Sequence, residues 1–273
     1  MTRQEVDLAI EWAAAEGWNP GLHDAECFYR ADPGGFLIGL VDNEPVAVVS
    51  AVRYGQTFGF IGLYIVLPAD RGRGSGFRVG RAAIKRLKGR TIGVDGVMER
   101  QENYGAIGFT FAYSNMRFEG LSGGAAPHHP AIRPLPEIPF ERVLAYDRPF
   151  FPDDRTAFLA CWIRQPGAVS LGIMDHERLA GYGVIRPCRK GFKIGPLLAD
   201  RPELAEELFS ALKAAVPADM PVYLDIPESN PEALKLVERH GMKLVFKTAR
   251  MYMGQAPVLP LERLFGITTF ELG

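Results

Sequence analysis

Four landmarks in the first half of the chain return in the second at an almost fixed distance. The turn of DNEPVAVVSAVRY comes back in DHERLAGYGVIRP, with Asp175 lying 133 positions after Asp42. The end of FIGLYIVLPAD comes back in GFKIGPLLAD, with Asp200 lying 130 after Asp70. TIGVDGV is answered by VYLDIP, Asp225 following Asp95 by 130, and Gly241 follows Gly108 by 133. Self-similarity at a near-constant offset is the mark of a duplicated unit. The 273 residues therefore divide into two domains of ordinary size.

The order of elements within a unit follows from local chemistry. Thr2 with Glu5 three residues on is a capping box, so a helix is expected from there to near Gly17. A shorter helix is expected over 24–31. GFLIGLVDNEPVAVVSAVRY reads as two strands joined by a turn at residues 42–45. FGFIGLYIVL is almost wholly apolar, as a strand buried on both faces must be. The helix after RGRGSG places Phe77, Ala83, Ile84 and Leu87 on one stripe. TIGVDGV is a strand, QENYGAIGF a short helix and turn, and TFAYSNMRF another strand. The fold class is α/β (α+β): two units, each a mixed, mostly antiparallel sheet flanked by helices. Residues 119–140 are rich in Gly and Pro and lack periodicity. This sets the boundaries at 1–120, a linker at 121–140, and 141–273. The closing stretch PVLPLERLFGITTFELG is apolar enough that it must dock on the body.

Composition narrows the function classes. A net charge of -1 gives no global attraction to nucleic acid or membrane. The first residues lack a signal peptide's basic and apolar regions, and no run approaches the roughly 18 apolar residues of a spanning helix. Cys27, Cys161 and Cys188 are scattered and form no CxxC, so neither a disulfide framework nor a zinc site is expected. His128-His129 lacks further ligands, and no metal is expected. A reducing cytoplasm is the default compartment.

RGRGSG, residues 71–76, raises the chemical question. Unpaired amides at the start of a helix attract anions, and alternate glycines let backbone approach a ligand closely. Residues 71–90 carry eight Lys or Arg and no Asp or Glu. A phosphate fits all of this. The spacing is neither the GxxxxGK[ST] of a P-loop nor the GxGxxG of a dinucleotide site.

Arg71-Gly72-Arg73-Gly74-Ser75-Gly76 resembles the [Q/R]xxGx[G/A] loop of the GCN5-related N-acetyltransferases (GNAT). Tyr104-Gly105-Ala106-Ile107-Gly108-Phe109 resembles that family's YxxxGF. The resemblance implies acyl transfer from acetyl-CoA, as co-substrate, directly to a primary amine of a small molecule or protein. It implies that the loop amides from Arg71 to Gly76 hold the pyrophosphate. The main chain of Tyr64, Ile65 and Val66 would hold pantetheine, which adds to a splayed strand. Tyr104 would protonate the leaving thiolate. One departure is visible: the asparagine that many members carry a turn or more earlier is here Asn103, immediately before the tyrosine. Asp95 is the carboxylate best placed by chain order to act as base, with Glu99 and Glu102 as alternatives.

Applying the offset of 130 to the loop puts Pro202, Glu203, Leu204, Ala205 and Glu206 where Gly72 to Gly76 stand. Proline donates no N–H and the glutamates repel phosphate. At 133, Val237 stands for Tyr104. The second unit is thus a degenerate GNAT copy serving packing, the acceptor pocket or a homodimer surface. A chain cut near Gly124 is expected to keep acetyl-CoA binding in any folded fraction. A rival reading is a non-catalytic acyl-CoA sensor, which would not need Tyr104. A nucleic-acid module is disfavoured because Phe77 is the only base-stacking residue among the helix cations.

Overall fold

The computed structural model describes residues 1–273 apart from Ala126 and His128, so the first half of the His128-His129 pair lies outside the described residues. The Thr2 amide donates to Glu5 Oε2 and the Glu5 amide to Thr2 Oγ1, closing the capping box that starts α1 (Arg3–Ala15). The first copy continues through α2 (Asp24–Ala31), β1 (Phe36–Val41), β2 (Glu44–Tyr54) and β3 (Phe58–Val66). Then come α3 (Ser75–Arg86), β4 (Thr91–Val97), α4 (Gln101–Ala106) and β5 (Thr110–Leu121). A short β6 (Ile132–Pro134) leads into the second copy: α5 (Phe140–Asp147), α6 (Thr156–Trp162), β7 (Val169–Asp175), β8 (Arg178–Pro187) and β9 (Phe192–Ala199). It ends with α7 (Pro202–Ala214), β10 (Pro221–Pro227), α8 (Pro231–Arg239), β11 (Lys243–Met253) and β12 (Leu264–Gly266).

The strands form one sheet in the order β1-β2-β3-β4-β11-β5-β10-β9-β8-β7-β6, with β12 added on β9. This order reads alike outward from the central β11–β5 pair, which makes the molecule pseudo-twofold. Each copy sends its last long strand into the other. β11 runs antiparallel to β4, placing Arg250 opposite Asp95, and β5 runs antiparallel to β10, placing Arg117 opposite Asp225. The linker at 121–140 therefore divides the sequence without dividing the sheet.

One face of the sheet carries the shared core, in which Phe28, Phe60, Phe158, Trp162, Tyr182 and Leu198 come from both copies. The outer face carries a separate cluster for each copy, under α3 in the first and under α7 and α8 in the second. α2 and α6 meet across the pseudo-twofold axis. Phe28 stacks on Trp162 with centroids 6.2 Å apart, and Cys27 and Cys161 form a disulfide with Cα atoms 5.3 Å apart. The expectation of no disulfide is thereby corrected. The two cysteines are 134 residues apart, but they occupy equivalent helices that the duplication packs together.

Two further expectations need correction. The buried stripe of α3 is Val79 and Ala83, continued by Leu87 at its C-cap, whereas Phe77 is 65% exposed. The glycine loop is not substituted in place in the second copy but missing. β3 and α3 are joined by eight residues, whereas β9 passes into α7 through Asp200 and Arg201 alone. The near-constant offset hid this because a longer α7 and a longer α7–β10 connection recover half of the missing residues, and the offset falls only from 133 to 130. Leu204 is buried, as its core reading required. The apolar closing stretch docks on the body, with Phe265, Ile267, Phe270 and Leu272 all buried.

Candidate active site

β3 and β4 are hydrogen-bonded in parallel only from Phe58 to Ile61 and from Thr91 to Val94. Beyond that they part, and β3 runs on to Val66 and β4 to Val97. Leu63, at the point of parting, has φ 45°, a left-handed conformation that breaks the strand's alternation. The main chain of Tyr64, Ile65 and Val66 therefore lines one lip of a V-shaped slot, and Asp95 to Val97 lines the other.

The glycine loop closes the end of the slot. Gly72 and Gly74 have φ 79° and 85°, which only glycine adopts freely, and Gly74 forms the N-cap of α3. No side chain caps this helix and its first turn holds no acid, so its leading amides stay free for an anion. The loop arginines are held at its rim. Arg71 Nε donates to the Val66 carbonyl at 3.0 Å and Arg71 pairs with Glu16; Arg73 pairs with Asp70 at 3.5 Å. A groove of about 820 Å³ continues along α3, with Arg78, Arg81, Lys85 and Lys88 over an apolar floor that includes Phe77 and Met253.

Tyr104, on α4, lies against β4, its ring only 2.7 Å from where a Cβ on Gly96 would stand. Phe109 meets the ring edge-on with centroids 5.8 Å apart. Burial, with a smaller push from Tyr64 and a counter-pull from Arg100, raises the Tyr104 phenol to about 12. It therefore carries its proton at ordinary pH. The Tyr64 hydroxyl would lie 3.0 Å from a Cβ on Gly76, so this ring spans from the slot to the first turn of α3. The family resemblance gave Tyr64 only a main-chain role; its side chain and Arg100 were missed because their approach to Tyr104 depends on how the strands and α4 pack.

Asp95 is in the neighbourhood but engaged. Its Oδ1 accepts from Arg250 Nε at 2.9 Å and Asn115 Nδ2 at 2.8 Å, and its Oδ2 from Arg250 Nη2 at 2.6 Å. The second copy repeats the pair in Arg117 and Asp225, both contacts at 2.7 Å. Burial pushes the Asp225 carboxyl up, and the Arg117 guanidinium together with Lys193 and Arg186 more than offsets this, leaving it below the usual carboxylate range. A pair repeated in the copy without the loop belongs to the architecture. Glu99, on the turn before α4, and Glu102, in the first turn of α4, remain exposed carboxylates.

Parted strands, a glycine-capped helix start and a phenol beside them define an acyl-CoA-dependent transferase of the GNAT type, present here as two copies. The comparisons agree. The Acetyltransferase (GNAT) family matches residues 5–110, and an Acetyltransferase (GNAT) domain matches residues 143–266. Holothin acyltransferase of a Pseudoalteromonas species is 31% identical over 99% of this chain and 92% of its own length. The chain belongs to the GNAT family and is a tandem GNAT acyltransferase. A structure from Pyrococcus horikoshii superposes with a TM-score of 0.84 at 25% identity, covering 100% of this chain and 94% of that one. A tandem GNAT protein from the clavulanic acid biosynthesis pathway shares the fold, with a TM-score of 0.63 at 15% identity over 94% and 98% of the two chains. No helix among the described residues is long and apolar enough to cross a membrane.

Proposed function

We propose that the first copy transfers an acetyl group from acetyl-CoA directly to a primary amine, with holothin the first acceptor to test. The carrying observation is that the slot, the free start of α3 and Tyr104 meet at one place, and only in the first copy. Main-chain groups of Tyr64, Ile65 and Val66 hold the pantetheine arm. The amides from Arg71 to Gly76 hold the pyrophosphate, and the groove along α3 suits the nucleotide end. The neutral amine attacks the thioester carbon, the C–S bond breaks, and the amide forms. Tyr104 gives its proton to the departing thiolate and recovers one from solvent. Because Asp95 is committed to Arg250, the amine's proton leaves through water, with the exposed carboxylates of Glu99 and Glu102 available to receive it.

The test is a calorimetric titration with acetyl-CoA, followed by a thiol-release assay on a panel of small primary amines and on holothin. Gly74→Glu should abolish donor binding in a folded chain, since it sets a side chain and a charge at the free start of α3. Unchanged affinity in that variant would sink the loop assignment. Binding without thiol release from any amine would favour the sensor reading.

A further inference from the structure

The second copy has a slot of its own. β9 and β10 are paired in parallel only from Phe192 to Ile194 and from Val222 to Leu224. They then part, at positions equivalent to Ile61 and Val94 of the first copy by the offsets of 133 and 130. This second slot is filled by the chain itself. β12 lies in it antiparallel to β9, with Leu264 opposite Leu198 and Gly266 opposite Leu197. On the other lip, the Ile267 amide donates to the Asp225 carbonyl at 2.8 Å. The fit is close: a Cβ on Gly266 would stand 2.7 Å from Leu224 Cδ1. The side chains of Leu264, Phe265 and Ile267 are buried, so this stretch is packed in place and not merely resting there.

The same segment then crosses to the first slot. The carbonyls of Ile267 and Thr268 each lie 2.6 Å from a Cβ position on Gly195. Four residues later the Glu271 carbonyl presses on Gly62, the equivalent of Gly195 in the first copy. The Tyr54 hydroxyl donates to the Leu272 carbonyl at 3.1 Å and fixes the segment there.

The geometry points to Leu264–Ile267 as an internal occupant of the second donor slot, so that one chain takes one acyl-CoA. It also points to the main-chain carbonyl of Asp95 as a donor contact in the first slot. Both statements rest on the acyl-CoA reading of the slot given above. The extended segment makes main-chain contacts along β9 at Leu197 and Leu198 and one hydrogen bond to Asp225. Shifted into the first copy, these become Tyr64, Ile65 and the Asp95 carbonyl. A pantetheine arm carries two amides and can use the same lips that a peptide strand uses. Asp95 thus serves the donor through its main chain, while its carboxylate serves Arg250.

Calorimetry of the full chain with acetyl-CoA should show one site; two sites would overturn the internal-occupant proposal while leaving the donor reading intact. No binding at all would overturn the donor reading and this inference together. Asp95-Gly96 is the only Asp-Gly pair in the sequence and Asp225-Ile226 the only Asp-Ile pair. Carbonyl-13C aspartate combined with 15N glycine or 15N isoleucine therefore isolates each carbonyl by NMR. Saturation with acetyl-CoA should move the Asp95 carbonyl resonance and leave that of Asp225 in place. A shift at Asp225 would overturn the occupied slot, and an unmoved Asp95 carbonyl would overturn the donor contact.

Discussion

Asp95→Asn separates a structural ion pair from a general base, because the two roles call for opposite results. The Asp95 side chain has 0% exposure and that of Arg250 only 6%. Without the carboxylate charge, the guanidinium would be left with the ring faces of Phe60 at 5.0 Å and Tyr113 at 6.0 Å, and with a neutral amide as a weak partner. Breaking a buried pair from one side costs about 3–5 kcal/mol. At about 2 °C per kcal/mol for a chain of this size, Tm should fall by roughly 6–10 °C. Asp225→Asn is the internal control, since Arg117 and Asp225 are buried to the same degree in the copy that lacks the loop. Differential scanning calorimetry should show falls of similar size in both variants. Thiol release, measured where both are folded, should stay within a few-fold of the parent. An Asp95→Asn chain with the parent Tm and a hundredfold loss of turnover would refute the reasoning and restore Asp95 as the base.

Tyr104→Phe should lower turnover by roughly a hundredfold while donor affinity changes little. With the phenol raised to about 12, it is the protonated form that acts and this form persists below that value, so turnover should not fall on the alkaline side up to about pH 10.5. A basic limb between pH 8 and 10 would remove Tyr104 from the mechanism. The Cys27–Cys161 disulfide closes a loop of 134 residues, for which chain entropy alone gives on the order of 5 kcal/mol. Cys27→Ser should therefore lower Tm by several degrees, and thiol titration of the unreduced, unfolded chain should find Cys188 alone; three titrating thiols would refute the link. A chain ending near Gly124 should fail to fold, contrary to what sequence order suggested, because it loses β11 and with it the partner of both β4 and β5. A soluble fragment that binds acetyl-CoA would contradict this.

The sequence by itself determined whatever is local or repeats. The capping box of Thr2 and Glu5, the αL glycines of the loop, the apolar run of β3 and the offset linking Asp95 to Asp225 are all written in short stretches. So was the absence of the glycine loop from the second copy, although its cause is a shorter connection and not residue-by-residue replacement. Tertiary structure alone decided which strands and side chains meet. Alternation along β5 and β11 specifies which residues are inward but carries no label for the partner, so the exchange of these strands left no trace in the pattern. The same exchange brought Arg250 to Asp95 from 155 positions away and paired the carboxylate that chain order had offered as a base. It also put Cys27 beside Cys161. The closing segment read as an apolar stretch needing cover; only the parting of β9 from β10, which exposes unpaired main-chain groups, decided that it would lie between those two strands.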